Sequence, residues 1–197
     1  MAVGLLLTLE GLDGCGKSTH VKLLAKWLRS RGCKVVITDE PTNSAIGKVI
    51  KQMLRGELKV PPAVEALLFA ADRVQHVANL IEPAVRAGKV VLNERYTYSS
   101  MAYQSARGVS EAWIKSINKY APRPDLTILI DVPAAAALGR IKPSRKLDEF
   151  ERDLRLQGRV RRNYLRIAKR EGLKIVDGAR SCGEVQAEIR KLISAVL

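Results

Sequence analysis

Residues Gly11-Leu12-Asp13-Gly14-Cys15-Gly16-Lys17-Ser18 fit the pattern G-x-x-x-x-G-K-[ST]. That pattern suits phosphate. Glycines let successive backbone N–H groups turn inward around phosphate oxygens, and a helix opening at the end of the loop adds partial positive charge. Lys17 is expected to reach the β- and γ-phosphates of ATP, and Ser18, followed by Thr19, to offer a hydroxyl to Mg²⁺. Cys15 lies inside the loop as a small residue filling a turn, with an oxidisable thiol beside Lys17 as the alternative. A second constellation begins at Glu94-Arg95 and runs to Gln104. An acid at the end of a strand can act on Mg²⁺ through water, and an arginine beside it can clamp phosphates on a transfer path.

Both constellations need strands and helices to hold them. Val3 to Leu9 reads as a buried strand, and an amphipathic helix from about Ser18 to Arg29 follows the glycine loop. Lys34–Thr38, Lys89–Leu92, Leu126–Val132 and Leu173–Val176 read as further apolar strands. Helical stretches separate them: to Leu54, from Pro62 to Arg86, on to Tyr120, over Ala134–Ile141, from Phe150 to Arg170 and from Gly183 to Val196. Strands apolar on both faces and alternating with helices predict a doubly wound α/β domain, a parallel sheet with helices on both faces. With no linker evident, residues 1–197 read as one domain of the P-loop NTPase type.

Composition narrows the class. Apolar residues make up 47% and charged residues 27%, which excludes general disorder. No apolar run approaches the length of a membrane span and no leader-like N-terminus is evident. Three dispersed cysteines (Cys15, Cys33, Cys182) suggest reduced thiols and a cytoplasmic setting. The formal charge of +14, from 34 basic against 20 acidic residues, favours anionic partners without choosing among them. A guanine reader N-K-x-D is missing, because Asn118-Lys119 is followed by Tyr120-Ala121. No basic stripe interleaved with aromatics supports a nucleic-acid-dependent ATPase. A small-molecule kinase is the reading that remains, with neither nucleic acid nor membrane expected as partner; the resemblance described next implies nucleotides as its small-molecule substrates.

Here the sequence closely resembles the thymidylate kinase family. Glu10–Ser18 matches that family's E-G-x-D-G-x-G-K-[ST], and Glu94–Gln104 matches its D-R-[YF]-x-x-S-x-x-A-[YF]-Q except for Glu in place of Asp. Leu68-Phe69-Ala70-Ala71-Asp72-Arg73 is similar to L-F-x-A-x-R, Glu40-Pro41-Thr42 to E-P-x, and Pro122-Arg123-Pro124-Asp125 to P-x-P-D. The resemblance implies strand order 2-3-1-4-5, a homodimer joined through helices, and transfer of the ATP γ-phosphoryl group to thymidine monophosphate. A deoxynucleoside kinase, or a monophosphate kinase with a broader acceptor range, is the alternative.

The resemblance also implies roles. Phe69 stacks on the thymine ring and Arg73 bonds a base carbonyl, while Ser99, Ser100 and Gln104 line the base pocket beside Glu40-Pro41. Tyr103 lies under the sugar and excludes a 2′-hydroxyl. Asp13 sits near the acceptor sugar and the metal, Arg95 bridges donor and acceptor phosphates, and Ser18 and Glu94 serve Mg²⁺. Arg140 stacks on adenine, with the turn Asp177–Arg180 on the base's other side. A basic segment at about 140–150 occupies the position of the family's lid.

The chain departs from the family at several points. Gly14 replaces the arginine that some members carry after the P-loop aspartate, and Glu149 occupies the lid arginine's position in L-D-R-[FI]-E. The missing cation is then expected from Arg145, Lys146 or Arg140. Asp39 stands for an arginine before Glu-Pro, and Asn93 for an apolar residue.

Overall fold

The computed structural model describes residues 4–141 and 146–197. Val3, where the first strand is expected to open, and Lys142 to Arg145 of the expected lid lie outside the described residues.

Five strands form one parallel sheet: β1 (Leu5–Glu10), β2 (Val35–Asp39), β3 (Val90–Glu94), β4 (Leu126–Asp131) and β5 (Lys174–Asp177). Their order is β2-β3-β1-β4-β5, as the resemblance implies. Alternation along β1 divides the core. Leu7 and Leu9, with Leu92 of β3, belong to the main cluster, which includes Leu24 and Leu28 of α1 (Lys17–Ser30) and Ile189 of α9 (Cys182–Ser194). Leu6 and Val91 turn the other way and meet Val77, Ile81, Ala84 and Tyr96. Helices therefore cover both faces, and the buried, continuously apolar strands are the expected consequence.

The helical stretch before β3 is not uniform. It comprises α3 (Pro62–His76), a π-helical turn over Val77–Ile81 and α4 (Glu82–Arg86). Pro83 in the first turn of α4 has no N–H, and its ring would meet the carbonyl of Asn79 in a straight α-helix. Widening the preceding turn relieves that conflict. Along α3, Val64, Leu67 and Val74 remain exposed.

The remaining helices are α2 (Ala45–Leu54), α5 (Thr97–Ala106), α6 (Glu111–Ile117), α7 (Ala134–Gly139) and α8 (Leu154–Glu171). The expected helix from Phe150 begins later, at Leu154, because Asp153 caps it by accepting the Leu156 N–H. Residues 148–151 form a separate turn instead, in which the Asp148 carboxylate accepts the N–H groups of Phe150 and Glu151. Among the described residues, no helix is long and apolar enough to cross a membrane.

One row of the sheet is polar. Thr38, Asn93, Thr8 and Thr127 lie side by side across β2, β3, β1 and β4. The Thr8 and Thr127 hydroxyls bond each other at 2.8 Å, and Thr38 Oγ1 bonds His76 Nε2 at 2.7 Å. Asn93 is fully buried, and its amide has no hydrogen-bond partner among the described residues.

Candidate active site

All five strands run in one direction, so their carboxyl ends gather on a single edge, where open α/β sheets bind ligands. The glycine loop leaves β1 at this edge and Glu94 ends the adjacent β3. The neighbouring strands thereby bring Ser18 and Glu94 together: Ser18 Oγ donates to Glu94 Oε1 at 3.0 Å.

The loop is sterically committed to its shape. Gly14 has φ +81°, and a Cβ there would lie 2.0 Å from the Ala137 carbonyl oxygen. Gly16 has φ +103° and precedes α1, which carries neither a side-chain cap nor an acidic residue in its first turn. Its leading N–H groups are therefore left for an anion. Lys17 Nζ donates to Gly11 O at 3.1 Å and Leu12 O at 2.9 Å, and lies 3.8 Å from Asp13. Cys15 is buried, and burial pushes its thiol pKa up, against a reactive thiolate.

A cleft of about 640 Å³ runs along this loop, lined by Gly14 to Thr19, Glu94, Arg140 and Arg180 among others. At its far end Arg140 donates to Gly178 O at 2.8 Å, and Arg180 pairs with Glu188. The nucleotide-side residues expected from the sequence therefore share one cavity except Gly11 and Leu12, which do not line it and instead hold Lys17 through their carbonyls.

A second cavity of about 250 Å³ lies beside it. Pro41, Phe69, Ser99, Ser100, Tyr103 and Gln104 line it, as do Asp13 and Arg95. Asp13 lines both cavities. Arg95 faces it across the junction with Nη2 2.5 Å from Asp13 Oδ1, and also donates to Ser99 Oγ at 3.2 Å and to the Tyr103 hydroxyl at 3.4 Å. Its guanidinium lies over the Tyr103 ring. Arg95 holds φ +67°, a left-handed backbone conformation rare outside glycine. Burial works against its charge, but Asp13 and the neighbouring rings outweigh that and hold its pKa well above the ordinary value.

Glu40 and Arg73 occupy a different place from the rest of the expected pocket. Neither is among the residues lining the second cavity. Arg73 is buried behind Ser100, donating to Glu40 Oε2 at 2.8 Å, to Ser100 Oγ at 3.2 Å, to Asn118 and to the Tyr96 carbonyl. Glu40 also bonds His76. The pair acts as a back wall, and a buried ion pair of this kind is strongly destabilising to break from one side. Lys146 is exposed, and Arg145 lies outside the described residues.

Several contributors were not picked out from sequence. Glu10 is fully buried and accepts from Tyr96 N, Ser99 Oγ and the Tyr164 hydroxyl, binding the end of β1 to α5 and α8. Phe150 lines the second cavity with its ring 5.7 Å from that of Tyr103. Asp148 and Glu151 bring carboxylate oxygens within 4.8 Å of one another and of Asp13. Spacing within the sequence carries no sign of this cluster, because Asp13 reaches it only through the fold.

Burial raises the Asp148 carboxyl from 3.8 to about 6, helped by the nearby Glu151 and Asp13 charges. The folded state therefore holds this proton more tightly than the unfolded chain. Between these two values the folded state binds more protons, so stability declines as pH rises from about 4 to about 6. Urea unfolding across this range should show a smaller decline for Asp148→Asn than for the parent; equal declines would refute the assignment.

A family model described as thymidylate kinase matches residues 9–189. A "Probable thymidylate kinase" of Pyrococcus horikoshii is 44% identical over 196 residues, covering 96% of each chain. Similarly named proteins of Thermococcus gammatolerans and Pyrobaculum aerophilum are 42% and 43% identical over 97% of this chain and 96% and 97% of their own lengths. With a phosphate loop, a paired second cavity and a match spanning nearly its whole length, the chain belongs to the thymidylate kinase family of phosphotransferases.

Proposed function

We propose that the chain transfers the γ-phosphoryl group of ATP to thymidine monophosphate, giving thymidine diphosphate and ADP. One observation carries this reading: two separate cavities, one along a phosphate loop and one beside an aromatic ring, meet at the Asp13–Arg95 pair. A donor in the first and an acceptor in the second would face each other across that pair. The acceptor phosphate is already a nucleophile at neutral pH, so no general base is needed. Positioning and charge neutralisation supply the catalysis.

The loop amides and Lys17 hold the donor phosphates, and Arg140 and Arg180 flank the adenine. Ser18 and Glu94 offer only oxygen ligands, one hydroxyl and one carboxylate, which suits a hard cation such as Mg²⁺. When bound there, Mg²⁺ supplies charge neutralisation on the β- and γ-phosphates. Arg95 leaves Asp13 to clamp the acceptor phosphate. Phe69 stacks on the base, Tyr103 lies under a deoxyribose, and Arg73 and Glu40 keep the wall behind Ser100 in place. Gln104 Oε1 is a buried acceptor with no hydrogen-bond partner among the described residues. The N3–H of thymine is a donor of the kind it lacks.

The family's homodimer fits the exposed side of α3. Val64, Leu67, Ala71 and Val74 recur there at spacings of three and four residues, the pattern of a helix-pairing seam. The basic segment near Lys146 acts as a lid over the transferring group.

Lys17→Ala should cut turnover with ATP and thymidine monophosphate by roughly 10² to 10³-fold or more, through lost stabilisation of developing charge. Near-normal turnover, or phosphorylation of thymidine in preference to its monophosphate, would defeat the reading. Arg145→Ala and Lys146→Ala, made separately, should identify the lid cation by a loss of kcat; if both retain full kcat, the lid role passes to Arg140. In sedimentation velocity the parent should run as a dimer and Leu67→Glu as a monomer, whereas a monomeric parent would rule the seam out.

A further inference from the structure

Gln104 is a side-chain amide, and its two ends read a base in opposite ways. An Oε1 facing the base accepts from the N3–H of thymine or uracil. A flipped amide would offer Nε2–H to the N3 of cytosine, which is an acceptor. Which end faces the base is decided by whatever holds the other end.

In this chain the other end meets Glu65. Gln104 Nε2 donates to Glu65 Oε1 at 3.3 Å, across the packing of α5 on α3. Glu65 is buried with 2% exposure. Its second oxygen, Oε2, lies 3.2 Å from Arg107 Nη2. Burial pushes the Glu65 pKa up, and the Arg107 charge and the Gln104 amide work against that. Turning Oε1 toward Glu65 would set two acceptors against each other and leave the amide hydrogens without the carboxylate. The carboxylate therefore fixes the amide, and Oε1 is left without a partner among the described residues. Arg107 also lies over the ring of Phe150, which lines the same cavity.

The geometry points to Glu65 and Arg107 as a positioning pair that locks the Gln104 amide with its acceptor end available to the base, so that the cavity selects pyrimidines carrying an N3–H over cytosine. The inference rests on the base-pocket reading given above. Neither Glu65 nor Arg107 lines the cavity, so both act through Gln104. The pair does not read the 5-methyl group, so the selectivity it confers covers thymine and uracil alike.

The test is steady-state kinetics with ATP and the deoxynucleoside monophosphates of thymine, uracil and cytosine. Three variants are compared with the parent: Glu65→Gln, Arg107→Ala and Gln104→Ala. A glutamine at 65 can present either an acceptor or a donor, which frees the Gln104 amide to flip. The ratio of kcat/KM for the thymine over the cytosine nucleotide should fall roughly ten-fold in Glu65→Gln, mainly through a higher KM for the thymine nucleotide. Arg107→Ala, which leaves the buried Glu65 carboxylate without its cation and so also lowers stability, should move the ratio in the same direction. The uracil nucleotide should follow thymine throughout. Proportional losses with all three nucleotides would overturn the proposal, since a purely structural defect leaves the ratio unchanged. If Gln104→Ala lowers the ratio while the other two variants do not, the positioning pair is wrong and the base pocket stands. If the parent shows no preference, or Gln104→Ala leaves it intact, the base-pocket reading falls and this inference with it.

Discussion

The ion pair between Asp13 and Arg95 holds the two cavities in relation to each other. Asp13 belongs to the glycine loop and Arg95 follows the neighbouring strand, so the contact exists only because β1 and β3 are adjacent and parallel. Arg95 adopts a left-handed backbone to make it, a conformation that costs on the order of 1 kcal/mol or more outside glycine. The strain is offset by a partly buried charge with several partners: Asp13, Ser99, Tyr103 and the Tyr103 ring face. A cation held this way is pre-oriented, and an incoming phosphate can take the place of the carboxylate without a large rearrangement.

Behind that junction, the walls are built from buried acids whose charge is met by fixed donors. Glu10 gathers the start of α5 and Tyr164 of α8, Glu40 holds Arg73 and His76, and Glu65 holds Arg107 and Gln104. An unpartnered carboxylate in such places would cost several kcal/mol. Each acid is therefore a constraint on position: it fixes where two or three other side chains stand. Ser99, Ser100 and Gln104 on α5 reach the cavity in defined orientations because Glu10, Arg73 and Glu65 hold them from behind.

The parallel sheet and the phosphate loop were legible in the sequence, since apolar runs alternate with helices and the loop pattern is local, whereas the strand order came only through the family resemblance. The contacts of Ser18 with Glu94 and of Asp13 with Arg95 emerge only from the fold, which sets β1 beside β3. What sequence could not separate was front from back. Phe69 and Arg73 lie one helical turn apart on α3, yet Phe69 lines the cavity and Arg73 stands behind Ser100. A fully buried arginine is invisible to a hydropathy pattern, because its partners Glu40, Asn118 and Ser100 come from three other segments. The expected helix start at Phe150, inside the turn at 148–151, misses the turn for a similar reason. Its conformation depends on the Asp148 carboxylate bonding back to two N–H groups, and the same residue composition is compatible with a helix start.

A crystal structure with thymidine monophosphate bound tests the central claim most directly. The base should lie against Phe69 and Gln104, with the 5′-phosphate on the Arg95 guanidinium and the Asp13 contact loosened to admit it. A phosphate seated away from Arg95, with Arg95 still paired to Asp13, would contradict it.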